Sequence, residues 1–226
     1  GYGERLRVRG LTDAVCGMPT AALADEILLE GDGQVKALIC VGGNPMAAWP
    51  DQRKTLRALE SLDLLVTLDT EMSLTSRLAD YVIAPKMQME TPAMTQGSEL
   101  IKYYTSGTGI PAAYAQYAPR LVDPPAGSDL TEEWQFFLGL AKRMELVMWF
   151  VNFFGGGGGR FMESPPVVVN FNADTEMTTE ELFAQMCSTS RIPLHEVSSH
   201  PHGHIFDVDA VVEDRDPDCP AQLAVG

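Results

Sequence analysis

The chain has 226 residues, of which 45% are hydrophobic and 21% charged, a composition that supports one or two globular domains with a sizeable core. Its 31 Asp and Glu residues outnumber its 16 Lys and Arg residues, which gives a formal net charge of −15. This charge argues against a nucleic-acid-binding protein, because phosphate contacts require clustered basic side chains. No uninterrupted apolar run reaches the ~20 residues of a membrane-spanning helix, so the sequence predicts no transmembrane segment.

The four cysteines are widely separated and include no CxxC pair. Such spacing favours reduced, buried thiols of a cytoplasmic protein over a disulfide framework, a zinc site or an iron–sulfur cluster. The chain begins without an initiator Met or a signal peptide, and we expect it to be an internal piece of a longer protein. The cysteines are Cys16, Cys40, Cys187 and Cys219.

Helical and strand patterns alternate from residue 20 to residue 84. The strand patterns are continuous apolar runs, as expected where both faces of a sheet are covered. The alternation predicts an α/β fold, a layered αβα domain of Rossmann-like type with a parallel sheet. The predicted elements are a helix over 20–30 capped by Thr20, a strand over 35–41, a helix over 51–62, a strand over 64–68, a short helix over 73–79 and a strand over 81–84.

The pattern loosens after Pro85, and the segment 86–127, rich in Met, Tyr, Pro and Gly, is predicted to be an extended excursion. Asp129 and Glu132 predict a capping box for one helix, and Thr178 and Glu181 predict one for a second. The glycines at 155–159 lack a P-loop pattern and are interpreted as a linker. We therefore expect an α/β domain over 1–145, with its core at 20–100, and an additional α/β segment with an acidic tail over 146–226.

Three histidines recur at alternate positions in the sequence SHPHGH. On a regular strand, His200, His202 and His204 would share one face and could hold a metal ion. Pro201 and Gly203 disfavour a regular strand, and no Cys or carboxylate has a suitable spacing. The sequence therefore favours a solvated turn here and no metal site.

Two predicted strands end in residues suited to binding a ligand. The sequence GGNP at 42–45 follows the first strand, and Asp69 follows the second. In open α/β sheets, ligands bind beside the carboxyl ends of parallel strands, so these features should be neighbours. Glycines allow a nucleotide to approach the backbone, a carboxylate accepts from base N–H groups, and hydroxyls donate to phosphate. The candidate ligand-binding residues are Gly42, Gly43, Asn44, Pro45, Asp69, Ser73 and Thr75.

The order of these motifs resembles one family. A strand ending in GGNP, a helix beginning near Pro50, a strand ending in Asp69, a stretch containing Thr75, and Ala79-Asp80 followed by a proline occur in sequence. This succession is similar to that of the molybdopterin oxidoreductases of the dimethyl-sulfoxide-reductase superfamily, particularly their formate-dehydrogenase-like branch. The resemblance covers residues 20–100 most strongly.

The resemblance implies a cofactor and a set of roles. The cofactor is a bis-molybdopterin guanine dinucleotide carrying molybdenum or tungsten. The loop 42–45 would contact one dinucleotide, Asp69 would recognise its guanine, and Ser73 and Thr75 would lie nearby. A 4Fe-4S cluster is expected only in an N-terminal region that this chain does not contain. No catalytic or metal-ligating residue is assigned, and the isolated chain is expected to be inactive.

The resemblance also implies the reaction of the whole enzyme. Two electrons would pass between a small-molecule substrate, formate or another small acid or oxyanion, and an electron-transfer partner. The chain departs from the family after Glu90, where it reads TPAMTQGSEL instead of a run of the Asn-Glu-Gly-Arg type. Two alternatives stay open: a stand-alone flavodoxin-like nucleotide-binding module without catalysis, and a structural interaction domain in which GGNP is only a turn.

Overall fold

The computed structural model describes residues 5–8, 10, 18–95, 113–146, 149–150, 167–168, 177–187 and 192–206. The predicted linker at 155–159, Cys16, Cys219 and the acidic tail lie outside the described residues. Contacts divide the chain into a first unit, Gly1–Met87 with Pro124–Phe137, and a second unit, Gln88–Asp123 with Leu138–Gly226. These compact units do not test the expected domains 1–145 and 146–226, which stay a prediction.

The first unit contains a parallel three-stranded sheet. Its three strands are neighbours in the order in which they occur along the chain, and both neighbouring pairs are parallel. One helix precedes the first strand and two helices separate the first strand from the second, so the α/β class and the parallel sheet are confirmed. The elements are α1 (Thr20–Leu28), β1 (Ala37–Val41), α2 (Pro45–Ala48), α3 (Gln52–Glu60), β2 (Leu64–Leu68) and β3 (Tyr81–Ile83).

The helices of the first unit pack in a defined order on the sheet. Cys40 and Leu65, which lie on one face of β1 and β2, are buried against Leu59 of α3. Ala58 of α3 packs in turn against Ile27 of α1. Each buried Leu or Ile side chain contributes roughly 1.5–3 kcal/mol to the free energy of unfolding, relative to an exposed one. The order is therefore sheet, then α3, then α1.

Two predictions about helices, the cap of α1 and the helix over 73–79, are wrong. Asp51 precedes α3 as its N-cap, and its Oδ1 accepts from the Lys54 N–H at 3.1 Å. Thr20 was expected to cap α1, but the capping position is Pro19 and makes no side-chain cap bond. The segment 73–79, expected to be a short helix, forms a series of turns. Its serine and threonine hydroxyls bond to neighbouring polar groups, a known competitor of helix formation.

The third strand is extended by a single parallel bridge. Pro85 pairs with Thr131, and the Lys86 N–H donates to the Thr131 carbonyl at 2.8 Å. The next helix, α4 (Glu133–Arg143), therefore begins later than predicted. The expected box of Asp129 and Glu132 is wrong, because the Gln135 side chain accepts from the Glu132 N–H instead, at 3.1 Å.

Where the structure describes it, the second unit contains short strands, a 3₁₀ helix (Gln88–Glu90), residues 138–143 of α4 and two complete helices. Its core is formed by Ala115, Ile192, Val197 and Phe206. The predicted box of Thr178 and Glu181 is confirmed by bonds in both directions. Within the part of the chain that the structure describes, no helix combines the length and apolar character that crossing a membrane requires. The antiparallel pairs are β4 (Ala93–Met94) with β6 (Tyr117–Ala118), β5 (Ala113–Ala115) with β9 (His204–Phe206), and β7 (Trp149–Phe150) with β8 (Val167–Val168); the helices are α5 (Thr179–Met186) and α6 (Leu194–Ser198).

Candidate ligand-binding site at the carboxyl ends of the sheet

The loop after β1 is tied to the neighbouring strand. The Gly42 N–H donates to the Leu68 carbonyl at 2.9 Å, which continues the parallel ladder one step beyond β1. Gly42 has a φ of +56°, and a Cβ built there would meet nothing within 4 Å. A glycine suits this backbone, since other residues are strained at such φ values. The loop therefore presents its backbone to open space at this end of the sheet.

Asp69 follows β2 directly and lies beside that loop. Its N–H donates to the Ile83 carbonyl of β3 at 3.2 Å, which anchors the residue to the central sheet. The carboxylate is half-buried and accepts two hydrogen bonds, from the Glu71 N–H to Oδ1 at 3.3 Å and from the Ser76 Oγ to Oδ2 at 3.2 Å. The predicted proximity of the GGNP loop and Asp69 is thus observed, because Val41 pairs with Leu68.

Thr75 connects the two sides of this end of the sheet. The side chain is 0% exposed, and its Oγ1 donates to the Asn44 Oδ1 at 2.8 Å and accepts from the Met46 N–H at 3.1 Å. Asn44 precedes α2 and makes no side-chain cap bond within that helix. The Thr75 hydroxyl thus holds the GGNP loop in place, and its one hydrogen is donated within the protein.

Ser73 also lies beneath the surface, paired with a residue that sequence reasoning missed. Its Oγ lies 3.0 Å from the Ser76 Oγ and accepts from the Ser76 N–H at 3.2 Å. Both serines are buried, and Ser76 is 1% exposed. The signal in the sequence was the spacing of Ser76, three residues after Ser73 and seven after Asp69. The cofactor-binding roles predicted for Ser73 and Thr75 stay predictions.

The remaining candidate groups lie elsewhere. His200 and His204 stack with ring centroids 4.1 Å apart, and His200 precedes a turn at 201–202. Among the described residues, no group of three or more His, Cys, Asp or Glu side chains is placed to hold a metal ion. Cys40 of β1, buried against α3, is a free thiol whose pKa burial raises to about 11, so it is protonated at neutral pH.

Comparison with known proteins finds relatives for about half of the chain. The probable oxidoreductase YyaE of Bacillus subtilis is 31% identical over 121 residues, which cover 54% of this chain and 16% of YyaE. Acetylene hydratase of Syntrophotalea acetylenica is 30% identical over 128 residues, 57% of this chain and 16% of the hydratase. The F420-dependent formate dehydrogenase subunit alpha of Methanocaldococcus jannaschii is 27% identical over 119 residues, 53% of this chain and 16% of the subunit.

A solved structure of the acetylene hydratase from Pelobacter acetylenicus is 27% identical, with a TM-score of 0.47, and covers 57% of this chain and 16% of that chain. No protein-family model matches the chain. The chain spans 16% of the length of each of the three curated relatives named above. The relatives confirm the resemblance: over about half of its length, this chain is homologous to molybdopterin enzymes of the dimethyl-sulfoxide-reductase superfamily.

Proposed function

We propose that this chain is the dinucleotide-binding part of a molybdenum or tungsten oxidoreductase that carries bis-molybdopterin guanine dinucleotide. Its homology to molybdopterin enzymes supports an oxidoreductase-like function in general. The observation that carries the finer proposal is the position of the Asp69 carboxylate, which ends the central strand of a parallel sheet beside the Gly42 turn. Ligands of α/β sheets bind at such positions.

The donors and acceptors at this end of the sheet fit a guanine dinucleotide. The Asp69 carboxylate has roughly four acceptor positions, and two accept from Glu71 and Ser76, so two remain for a base. The open space above Gly42 admits a ligand close to the backbone. Asp69 would accept from the N1–H and N2–H groups of guanine, and the Gly42–Pro45 loop would line the same ligand. When bound, the cofactor supplies a metal held by dithiolene sulfurs that exchanges two electrons with the substrate.

The activity of the whole protein is part of the same proposal. Its substrate would be formate or another small acid or oxyanion, and a partner protein would carry the electrons. One of the relatives is by name a formate dehydrogenase subunit, which favours that substrate class. A 4Fe-4S cluster, the metal ligand and the catalytic residues would lie in other parts of the protein. We propose a cytoplasmic location, in keeping with scattered cysteines lacking a CxxC pair.

The proposal is tested with the full-length protein that contains this chain. Iodine oxidation should yield a fluorescent pterin derivative, acid treatment should release GMP, and elemental analysis should find molybdenum or tungsten. Asp69→Asn should lower the GMP and metal content by about 10-fold or more, because it places an amide donor against base donors and removes a charge-assisted bond.

Asp63→Asn is the matched control for this substitution. Asp63 lies at the opposite end of β2, and its exposed side chain forms a 3.5 Å surface ion pair with Lys36. Its substitution should leave the cofactor content unchanged, since surface pairs contribute about 0–1 kcal/mol. A wild-type protein without pterin and metal would refute the proposal. Bound nucleotide without pterin would instead support the flavodoxin-like alternative.

A further inference from the structure

We propose that Ser76 is a positioning residue that fixes the Asp69 carboxylate for guanine and thereby sets the selectivity of the site for that base. This inference rests on the proposed function. It assigns a role to a side chain that itself is too deeply buried, at 1% exposure, to contact a ligand. Ser76 acts through Asp69, and its contribution is orientation.

The donor and the acceptor can be assigned in each hydrogen bond of the Ser73 and Ser76 hydroxyls. The Ser76 Oγ donates to the Asp69 Oδ2 at 3.2 Å, and a serine hydroxyl has only one hydrogen to give. The short contact with Ser73, at 3.0 Å between the two Oγ atoms, must therefore run from the Ser73 hydroxyl to Ser76. Ser73 in turn accepts from the Ser76 N–H at 3.2 Å. Both hydroxyl hydrogens thus point along one path that ends on the carboxylate, which suits an ionised acceptor.

This path is held by the backbone of the turn. The Arg77 N–H donates to the Ser73 carbonyl at 3.1 Å, and the Ala79 N–H donates to the Ser76 carbonyl at 3.3 Å. Because both serines are buried, water does not readily replace a missing hydroxyl. The position of the Ser76 hydroxyl is therefore fixed by the fold before any ligand binds.

The consequence for Asp69 is control of a soft torsion. The terminal torsion of an aspartate side chain is broad and roughly two-fold, so an unrestrained carboxylate turns easily. Here Oδ2 is held by Ser76 and Oδ1 by the Glu71 N–H, which sets the plane of the carboxylate. One acceptor position then remains on each of the two oxygens. This arrangement matches a ligand with two adjacent donors, as the N1–H and N2–H groups of guanine provide.

Selectivity follows from this two-point match. Hypoxanthine keeps the N1–H of guanine but lacks the exocyclic amino group, so it makes one of the two bonds. If the carboxylate is fixed, the binding free energies of the two bases differ by the whole contribution of the second hydrogen bond. A carboxylate that rotates freely can reorient towards either base, so the difference is smaller. Loss of the Ser76 hydroxyl should therefore lower the ratio of guanine to hypoxanthine affinity in a chain that still folds.

The experiment uses cofactor-free full-length protein and isothermal titration calorimetry with GDP and IDP as probes. Wild type should bind GDP about 10-fold more tightly than IDP, the value of one hydrogen bond to a charged group. Ser76→Ala should bind GDP about 10-fold more weakly, with a GDP/IDP ratio of about 2. Ser76→Thr, which retains a hydroxyl, should recover most of the ratio. Ser61→Ala removes a hydroxyl that bonds to the Ala58 carbonyl at 2.8 Å and should change neither affinity.

The outcomes separate this inference from the proposed function. If Asp69→Asn loses the GDP preference and Ser76→Ala retains it, the positioning role is wrong and the proposed function stands. If Asp69→Asn binds both probes as wild type does, the proposed guanine site is wrong. Should Ser76→Ala fail to fold, as judged by circular dichroism, Ser73→Ala carries the test. It removes the hydroxyl that donates to Ser76 and should lower the GDP/IDP ratio about 3-fold, and an unchanged ratio would overturn the inference.

Discussion

Two buried threonines of the first unit should respond in opposite ways to the same substitution. Thr75 is 0% exposed and Thr67 is 1% exposed, so valine would bury a methyl group at either position. The Thr75 Oγ1 donates to the Asn44 Oδ1 at 2.8 Å and accepts from the Met46 N–H at 3.1 Å. The Thr67 Oγ1, in the centre of β2, is buried without a hydrogen-bond partner in the described structure.

These contacts set the sign and size of each effect. Thr75→Val removes two hydrogen bonds, each worth about 1 kcal/mol net, and should lower the local stability by about 2 kcal/mol. A hydroxyl buried without a partner costs roughly 1–3 kcal/mol in proteins. Thr67→Val removes that cost and should raise the stability of β1 and β2 by about 1 kcal/mol.

Hydrogen exchange of the full-length protein, followed by mass spectrometry, measures both effects locally. At about 1.4 kcal/mol per 10-fold change, exchange of the Met46 amide should be about 30-fold faster in Thr75→Val. Peptides from β1 and β2 should exchange about 5-fold more slowly in Thr67→Val. Thr55→Val is the control, because Thr55 is also 0% exposed but its hydroxyl donates to the Pro50 carbonyl, at 3.3 Å, away from the GGNP loop. Its effect should appear in α3 and leave Met46 unchanged.

Two results would refute this reasoning. An unchanged Met46 amide in Thr75→Val would mean that the hydroxyl does not hold the GGNP loop. A Thr67→Val protein destabilised as much as Thr75→Val would mean that the Thr67 hydroxyl makes a stabilising bond.

Three further predictions concern the first unit. Asp51 caps α3 at a φ of +55°, so Asp51→Ala should cost about 2 kcal/mol and Asp51→Gly less, because glycine relieves the backbone strain; the exchange rate of the Lys54 amide reports both. Burial raises the pKa of Cys40 from 9.0 to about 11. The folded chain keeps this proton where the unfolded chain has lost it, so the stability difference between wild type and Cys40→Ala should be constant below about pH 9 and shrink as pH rises towards 11. Lys86 pairs with Glu132 at 3.0 Å, with side-chain exposures of 20% and 10%. Lys86→Met should lower the melting temperature through a loss of about 2 kcal/mol, and the additional change Glu132→Gln should recover part of it.

Local sequence patterns predicted the central sheet well. The strand expected over 64–68 is observed as Leu64–Leu68. A short, continuous apolar run between charged residues is typical of a strand of a parallel sheet that is covered on both faces. The proximity of Gly42 and Asp69 followed from the rule that parallel strands bring their carboxyl ends together. Both inferences combine short-range patterns, which a single sequence contains, with a general rule about parallel sheets.

The misses depend on contacts between distant residues. Asp129 has the chemistry of a helix cap, but the bridge between Pro85 and Thr131 draws that segment towards the sheet, and the helix begins only after Glu132. Ser76 was not predicted, because the role proposed for it depends on the direction of one hydroxyl in a turn. Neither the bridge nor the direction of a hydroxyl leaves a periodic signal in the sequence.

The pairing of β1 with β2 has a consequence for how this site tolerates insertions and deletions. The Gly42 N–H bonds to the Leu68 carbonyl, so the GGNP loop and Asp69 are separated by a fixed number of ladder steps. A residue gained or lost in the exposed connection at 31–33 leaves that count unchanged, and exposed loops accept such changes readily. A residue gained or lost within Ala37–Val41 shifts the loop by about 3.3 Å and turns Cys40 to the opposite face. Length variation among related chains should therefore gather in the connections and spare the two strands.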